Sequence, residues 1–250
     1  MQLGLTDKVF VVTAASSGLG LATARALVAE GARVCLVARR EQVLADAVHE
    51  LGGGATSVAG DLSDPTLPQR AVDAAQRAFG RVDGALVSVG GPPRGGVLDN
   101  TDEEWSAAFG SVFLPALRTA RAVVTANPAP ALAFVLSTSV KVPLSTMAIS
   151  NGLRPGLGML VKQLADEIGP QGGRAVGLMP GSILTERITF LHSQAPDPAA
   201  ARASAEATVP LRRLGQPEEF GRVAAFVLSD AASYLTGCMI PVDGGALRTL

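Results

Sequence analysis

Residues 8–20, KVFVVTAASSGLG, decide the fold. Val9, Phe10, Val11 and Val12 form a β-prone run without a polar break, the pattern of a parallel strand covered on both faces. The run passes directly into a turn of small residues. There Ser16, Ser17, Gly18 and Gly20 allow backbone N–H groups to approach a phosphate, and 21–29 reads as the helix whose N-terminal dipole favours the anion. Strand, small-residue turn and helix in this order suit a nucleotide pyrophosphate. The same letters, taken alone, also fit an ordinary glycine-rich connection.

Outward from this stretch, short apolar runs alternate with helical patterns. The predicted strands are 9–13, 33–38, 56–59, 85–89, 132–137, 175–179 and 239–242, and amphipathic segments such as 41–51, 67–79 and 105–125 lie between them. That alternation predicts an α/β fold: a doubly wound, Rossmann-type parallel sheet of about seven strands with helices on both faces. No repeat or linker divides the chain, so 1–250 reads as a single dinucleotide-binding domain. Two stretches stand apart, GGPPRGGVLDN at 90–100 and an Ala/Pro-rich segment at 186–210. Each follows a predicted strand and so belongs at the carboxyl edge of the sheet, where such folds bind ligands. The second reads as a substrate lid.

Composition narrows the function classes. With 250 residues, 48% of them hydrophobic, the chain has material for one large core without staples. Cys35 in RVCLVA and Cys238 in CMIPV read as small buried hydrophobes, and two cysteines without ligand spacing argue against a disulfide or a metal. A net charge of −1 gives no basic footprint for nucleic acid. MQLGLTDK lacks a basic region followed by a long apolar stretch, and no apolar run approaches the ~18 residues that span a bilayer, so a cytoplasmic protein without membrane attachment is expected.

These motifs together resemble the short-chain dehydrogenase/reductase family over essentially the whole length. TAASSGLG (13–20) resembles its TGxxxGxG turn, GDLSDP (60–65) its adenine-contacting acidic segment, and PGSILT (180–185) its PGxxxT segment beside the nicotinamide. The closing run RRLGQPEEFGRVAAFVLSDAASYLTGCMIPVDGG resembles the family's ending. The resemblance implies a cofactor site built from Thr13, Ser16, Ser17, Gly18, Leu19, Gly20, Pro180 and Gly181, with Asp61 and Leu62 at the adenine, Gly90 beside the ribose, and Ile183 and Thr185 at the carboxamide. One departure is Ala14, which puts a methyl group where the family has its first glycine.

Charge separates the two nicotinamide cofactors. An NAD site usually places an acid about 20 residues beyond the turn for the ribose 2′-OH, whereas a 2′-phosphate needs an arginine. This chain has Ala38, Arg39 and Arg40 there, which favours NADP(H) over NAD(H) through charge-assisted bonds to phosphate. The bland alternative is a pair of solvated arginines at a strand end.

The chemistry departs further from the family. Carbonyl reduction needs a proton on oxygen besides the hydride, and the resemblance implies a Ser together with Tyr and Lys in YxxxK spacing to supply it. The only tyrosine is Tyr234, in the closing motif. Counting back from LVKQLADEIGP puts Ser150 at the Tyr position and Arg154 at the Lys position, while the family's proton-relay Asn falls on Val112. Ser139, in STSV, keeps the family's serine. An aliphatic hydroxyl is a far weaker acid than a phenol, and Arg154 stays protonated. Pro155 predicts a helix that is kinked or begins later than usual. Lys141 is a candidate replacement if a partly desolvated cleft lowers its pKa, and His192, in the lid, is a further neutral-pH donor. Ser139, Ser150, Arg154 and Lys141 are thus the catalytic candidates.

Two functions follow. One is an NADP(H)-dependent oxidoreductase reducing a carbonyl or oxidising an alcohol with a non-standard proton donor. The other is a catalytically silent nucleotide-binding sensor or structural subunit of the same fold. A small-molecule substrate, apolar in part, is expected from Ile188, Phe190, Leu191, Pro196, Pro92, Pro93 and Val97, and the resemblance implies a homotetramer or homodimer.

Overall fold

The computed structural model describes residues 2–249, apart from the side chains of Arg187, Leu191 and His192. Strand β1 (Val9–Thr13) is buried along its whole length, and its side chains alternate between two cores. Val9 and Val11 face one core, while Phe10 and Val12 face the other, the period of two that a strand imposes. Helix α1 (Gly18–Ala29) follows, then β2 (Arg33–Ala38), α2 (Glu41–Leu51), β3 (Ala55–Ala59), α3 (Leu67–Phe79) and β4 (Gly84–Val87). The second half adds α4 (Asp102–Ala108), α5 (Leu114–Ala126), β5 (Ala131–Val135), α6 (Ala148–Ile168), β6 (Arg174–Pro180), α7 (Glu186–Ser193), α8 (Pro198–Thr208), α9 (Pro217–Leu228) and β7 (Met239–Val242).

The strands pair in the order β3-β2-β1-β4-β5-β6-β7, and every pairing is parallel. This is the expected doubly wound sheet, with the order reversing between β1 and β4. That switch point opens a crevice beyond the carboxyl ends of the strands. Helices α3, α5 and α6 fill one core and α1, α2 and α9 the other. Helix α9 lies against α1 so closely that a β-carbon on Gly221 would sit 2.5 Å from the carbonyl oxygen of Ala22.

Two helical details depart from the sequence reading. The segment expected at 105–125 begins earlier, because Thr101 caps it: its hydroxyl accepts from the Glu104 N–H while the Glu104 carboxylate accepts from the Thr101 N–H. It then widens into a π turn at Phe109–Phe113. Pro115 has no N–H for the carbonyl of Ser111, so the ladder is broken where the register widens. The continuous helix of 102–126 is long and apolar enough to cross a membrane by length and composition. Ala108, Val112, Ala116, Ala120 and Val123 on it belong to the core beside α3 and α6.

Pro155 delays nothing. Helix α6 starts at Ala148 and continues through Pro155 to Ile168. Its first turns are anchored by Asn151, whose amide donates to the Leu144 carbonyl and whose oxygen accepts from the Leu144 N–H. Close approach to α4 and the π turn fixes the same stretch. A β-carbon on Gly152 would lie 2.6 Å from the Trp105 ring, and one on Gly156 would lie 3.2 Å from Phe113.

Candidate cofactor and active site

The turn between β1 and α1 is held by backbone. Ala14 takes a left-handed conformation, φ 51°, and the Ala15 N–H donates to the Val37 carbonyl at 3.1 Å. Gly18 is left-handed as well, and a β-carbon on Gly20 would lie 2.6 Å from the Ala14 oxygen, so α1 can start here only with glycine at 20. Helix α1 has no acidic residue in its first turn, and Ser17 at its cap makes no side-chain capping bond. The N–H groups of that turn keep their pull on an anion. Leu19 is half-buried against the α1–α9 core.

Arg40 reaches this turn. Its Nη2 donates to the Ser16 hydroxyl at 3.2 Å and to the Ser17 hydroxyl at 3.4 Å, and it lies 3.9 Å from the Glu186 carboxylate. The Asp61 carboxylate accepts from the N–H and the hydroxyl of Ser63, which hold its pKa below the ordinary carboxylate range, with a further contribution from the charge of Arg39. Leu62 packs half-buried beside it, against the α3 side of the sheet. Thr13, expected at the cofactor, has its hydroxyl taken up by backbone. Its buried hydroxyl donates to the Ser88 carbonyl at 2.6 Å and accepts from the Ser88 N–H at 2.7 Å, tying β1 to the end of β4. A threonine committed on both sides is a strand tie.

At the other end of the crevice, β6 ends at Pro180. A β-carbon on Gly181 would meet the Asp243 side chain at 2.6 Å, so the turn passes tightly under the C-terminal segment. Ile183 is buried and bridges Gly215, and the Leu184 N–H donates to the Gly215 carbonyl at 2.8 Å. The Thr185 hydroxyl accepts from the Ile188 N–H at 3.4 Å and its methyl lies 3.4 Å from where a β-carbon of Gly18 would be. The two ends of the sequence motif set therefore face each other across the turn.

The catalytic candidates meet at the ends of β4 and β5. Ser139 sits in the 3-10 turn Thr138–Val140 after β5, Ser150 in the first turn of α6, and their hydroxyl oxygens are 3.3 Å apart in a buried position. Arg154, one helical turn after Ser150, is also buried. Its guanidinium donates to the Val135 carbonyl at 2.7 Å and to the Gly90 carbonyl at 3.2 Å, so it joins β5 to the loop after β4. A β-carbon on Gly90 would meet nothing within 4 Å, which leaves open space at the position expected to face the ribose.

Other candidates do not join this group. Lys141 is exposed at the end of the 3-10 turn, so the partly desolvated cleft that would make it a proton donor is absent around it. Val112 is buried in the π turn and offers no polar group. Tyr234 is fully exposed. The side chain of His192 lies outside the described residues. A groove of about 500 Å³ between α1 and α9, bordered by Leu3, Ala22 and Phe226, contains none of the candidates. The sequence reading missed Glu186 and Ser88. The first follows PGSILT directly, which was a usable signal, whereas nothing local marks Ser88 as the partner of a residue so distant in the chain.

A family model described as enoyl-(acyl carrier protein) reductase matches residues 13–246. Human dehydrogenase/reductase SDR family member 4 is 32% identical over 251 residues, covering 96% of this chain and 88% of that protein. L-Sorbose reductase from Gluconobacter frateurii, complexed with NADPH and L-sorbose, superposes with a TM-score of 0.94 at 30% identity, with 100% of both chains covered. An apo short-chain oxidoreductase from Pseudomonas aeruginosa PAO1, containing an atypical catalytic center, gives a TM-score of 0.92 at 28% identity and covers 99% of this chain and 100% of its own. With the parallel sheet, the cradle and a match along nearly its full length, the chain belongs to the short-chain dehydrogenase/reductase family and is an oxidoreductase of that type.

Proposed function

We propose that the protein is an NADP(H)-dependent oxidoreductase that interconverts a carbonyl and a hydroxyl group. The observation that carries this reading is Arg40 seated on Ser16 and Ser17 at the start of α1, a guanidinium where a 2′-phosphate is recognised. The NADPH in the L-sorbose reductase complex supports it.

The residues fit such a cofactor: the turn N–H groups suit the pyrophosphate, Arg39 and Arg40 the 2′-phosphate, Asp61 and Leu62 the adenine, Gly90 the ribose, and Ile183 and Thr185 the carboxamide. When bound, a nicotinamide supplies or accepts the hydride. Ser139 and Ser150 form a two-hydroxyl platform in which one O–H is donated to the other serine, leaving one O–H to offer a substrate oxygen. Arg154 stays protonated and positions the loop at Gly90 through its carbonyl. None of these groups trades a proton near neutral pH, so the proton that completes an alcohol comes from solvent water. Val97, Leu98 and Phe190, all exposed on the 90–100 loop and α7, support a substrate that is apolar in part. Phe109, Met159 and Tyr234 are exposed elsewhere and support a homodimer or homotetramer.

The test is oxidation of NADPH by the purified protein across a panel of ketones and aldehydes. The reading predicts turnover with at least one, reduced about 10²-fold in Ser139→Ala by loss of a donor to the reacting oxygen. NADPH binding without turnover on any carbonyl would favour the second reading, a catalytically silent nucleotide sensor. The hydroxyl of Ser150 at the phenol position is what supports that alternative.

A further inference from the structure

Arg40 faces acceptors of two kinds. Its Nη2 lies 3.2 and 3.4 Å from the neutral hydroxyls of Ser16 and Ser17, and 3.9 Å from the Glu186 carboxylate. The serines belong to the cradle, whereas Glu186 is the first residue of α7, in the segment read as a lid. The pair therefore spans the mouth of the crevice. The methyl of Thr185, immediately before Glu186, lies 3.4 Å from where a β-carbon on Gly18 would be, so the root of α7 also lies close to the phosphate turn.

We propose that Glu186 is a cofactor-specificity residue, which competes with a 2′-phosphate for Arg40 and makes the position of α7 depend on which nicotinamide cofactor is bound. The inference rests on the NADP(H) reading. Both partners are largely exposed and their separation is long for a charge-assisted bond, so the pair is weak. A 2′-phosphate offers Arg40 shorter, multiple charge-assisted bonds and wins the guanidinium. Glu186 then faces the phosphate well inside a Debye length, and like charges drive it away. A cofactor with a free 2′-OH brings no such charge and leaves the Arg40–Glu186 pair in place. Displacement of Glu186 acts on α7 at its first turn and through α7 on α8, which packs against it. By linkage, whatever the phosphate does to Glu186, Glu186 does to the phosphate.

The experiment is a nicotinamide fluorescence titration of NADPH and NADH with wild type, Glu186→Gln, Arg40→Gln and the double variant, paired with limited proteolysis at 186–210. Glu186→Gln is expected to bind NADPH about two- to fivefold tighter with NADH unchanged, a gain that shrinks at high salt and is smaller in the Arg40→Gln background, where the competition for the guanidinium is gone and only the direct repulsion remains. NADPH, and not NADH, is expected to change the cleavage rate of the wild-type 186–210 segment, and to do so less in Glu186→Gln. An equal shift for both cofactors, or none, in a wild type that prefers NADPH overturns the role of Glu186 and leaves the cofactor reading standing. A wild type without NADPH preference overturns both.

Discussion

Ala14 holds a left-handed backbone at φ 51° in which a β-carbon is strained, and the phosphate turn depends on that conformation. Ala14→Gly is expected to stabilise the fold by about 0.5–1 kcal/mol, the relief of strain being partly offset by the freer unfolded glycine, as a urea midpoint would show. Arg154 presents the opposite case. Its guanidinium satisfies two carbonyls at the ends of neighbouring strands, so Arg154→Met leaves both without that partner and is expected to cost about 2–4 kcal/mol in the same assay. Counting along the helix from LVKQLADEIGP singled out Ser150, whose hydroxyl lies 3.3 Å from that of Ser139, and Arg154 one helical turn further on, because a helical turn carries a fixed geometry. It did not reveal that Arg154 would grip backbone. The roles of Thr13 and Lys141 were illegible for a related reason: a partner 75 residues away and the exposure of a turn are set by packing, not by neighbours in sequence.

At the scale of elements, the contact of α1 with α9 is the tightest constraint on the cradle. Gly221→Ala would bring a methyl within 2.5 Å of the Ala22 carbonyl, pushing α9 from α1. A loss of about 1–3 kcal/mol is expected, with weaker cofactor binding because α1 carries the phosphate turn, read by thermal unfolding with and without NADPH. The start of α9 also titrates. Glu219 is held at about 2, first by the Arg213 guanidinium and then by the Gln216 N–H, against an ordinary value of 4.5. A carboxyl whose folded pKa is depressed stabilises fully above the unfolded value. That contribution is expected to fade as pH falls from about 4.5 to about 2, and Glu219→Gln should flatten the decline in urea midpoint over that window. Strands were legible as short apolar runs because burial on both faces leaves no polar break, and helices because burial of one face gives an amphipathic pattern. The π turn was not, since Pro115 signals a broken ladder without saying how the helix absorbs it.

For the whole molecule, the doubly wound parallel sheet was legible in the alternation of apolar runs and helices, as was a ligand site at its carboxyl edge, whereas the strand order and the reversal between β1 and β4 come from the structure. The mouth of the crevice was not legible. Arg40 follows β2 and Glu186 follows β6, with β1, β4 and β5 between them in the sheet, and the two side chains meet at 3.9 Å because the parallel strands all end on the same side. The central claim is that this edge recognises a 2′-phosphate, and a calorimetric titration of the wild-type protein with NADPH and NADH tests it most directly. Binding of NADPH at least about tenfold tighter, with the advantage lost in Arg40→Gln, is the predicted result, since bidentate charge-assisted bonds to phosphate are worth ~1.4 kcal/mol or more. Equal affinities, or a preference for NADH, would contradict it.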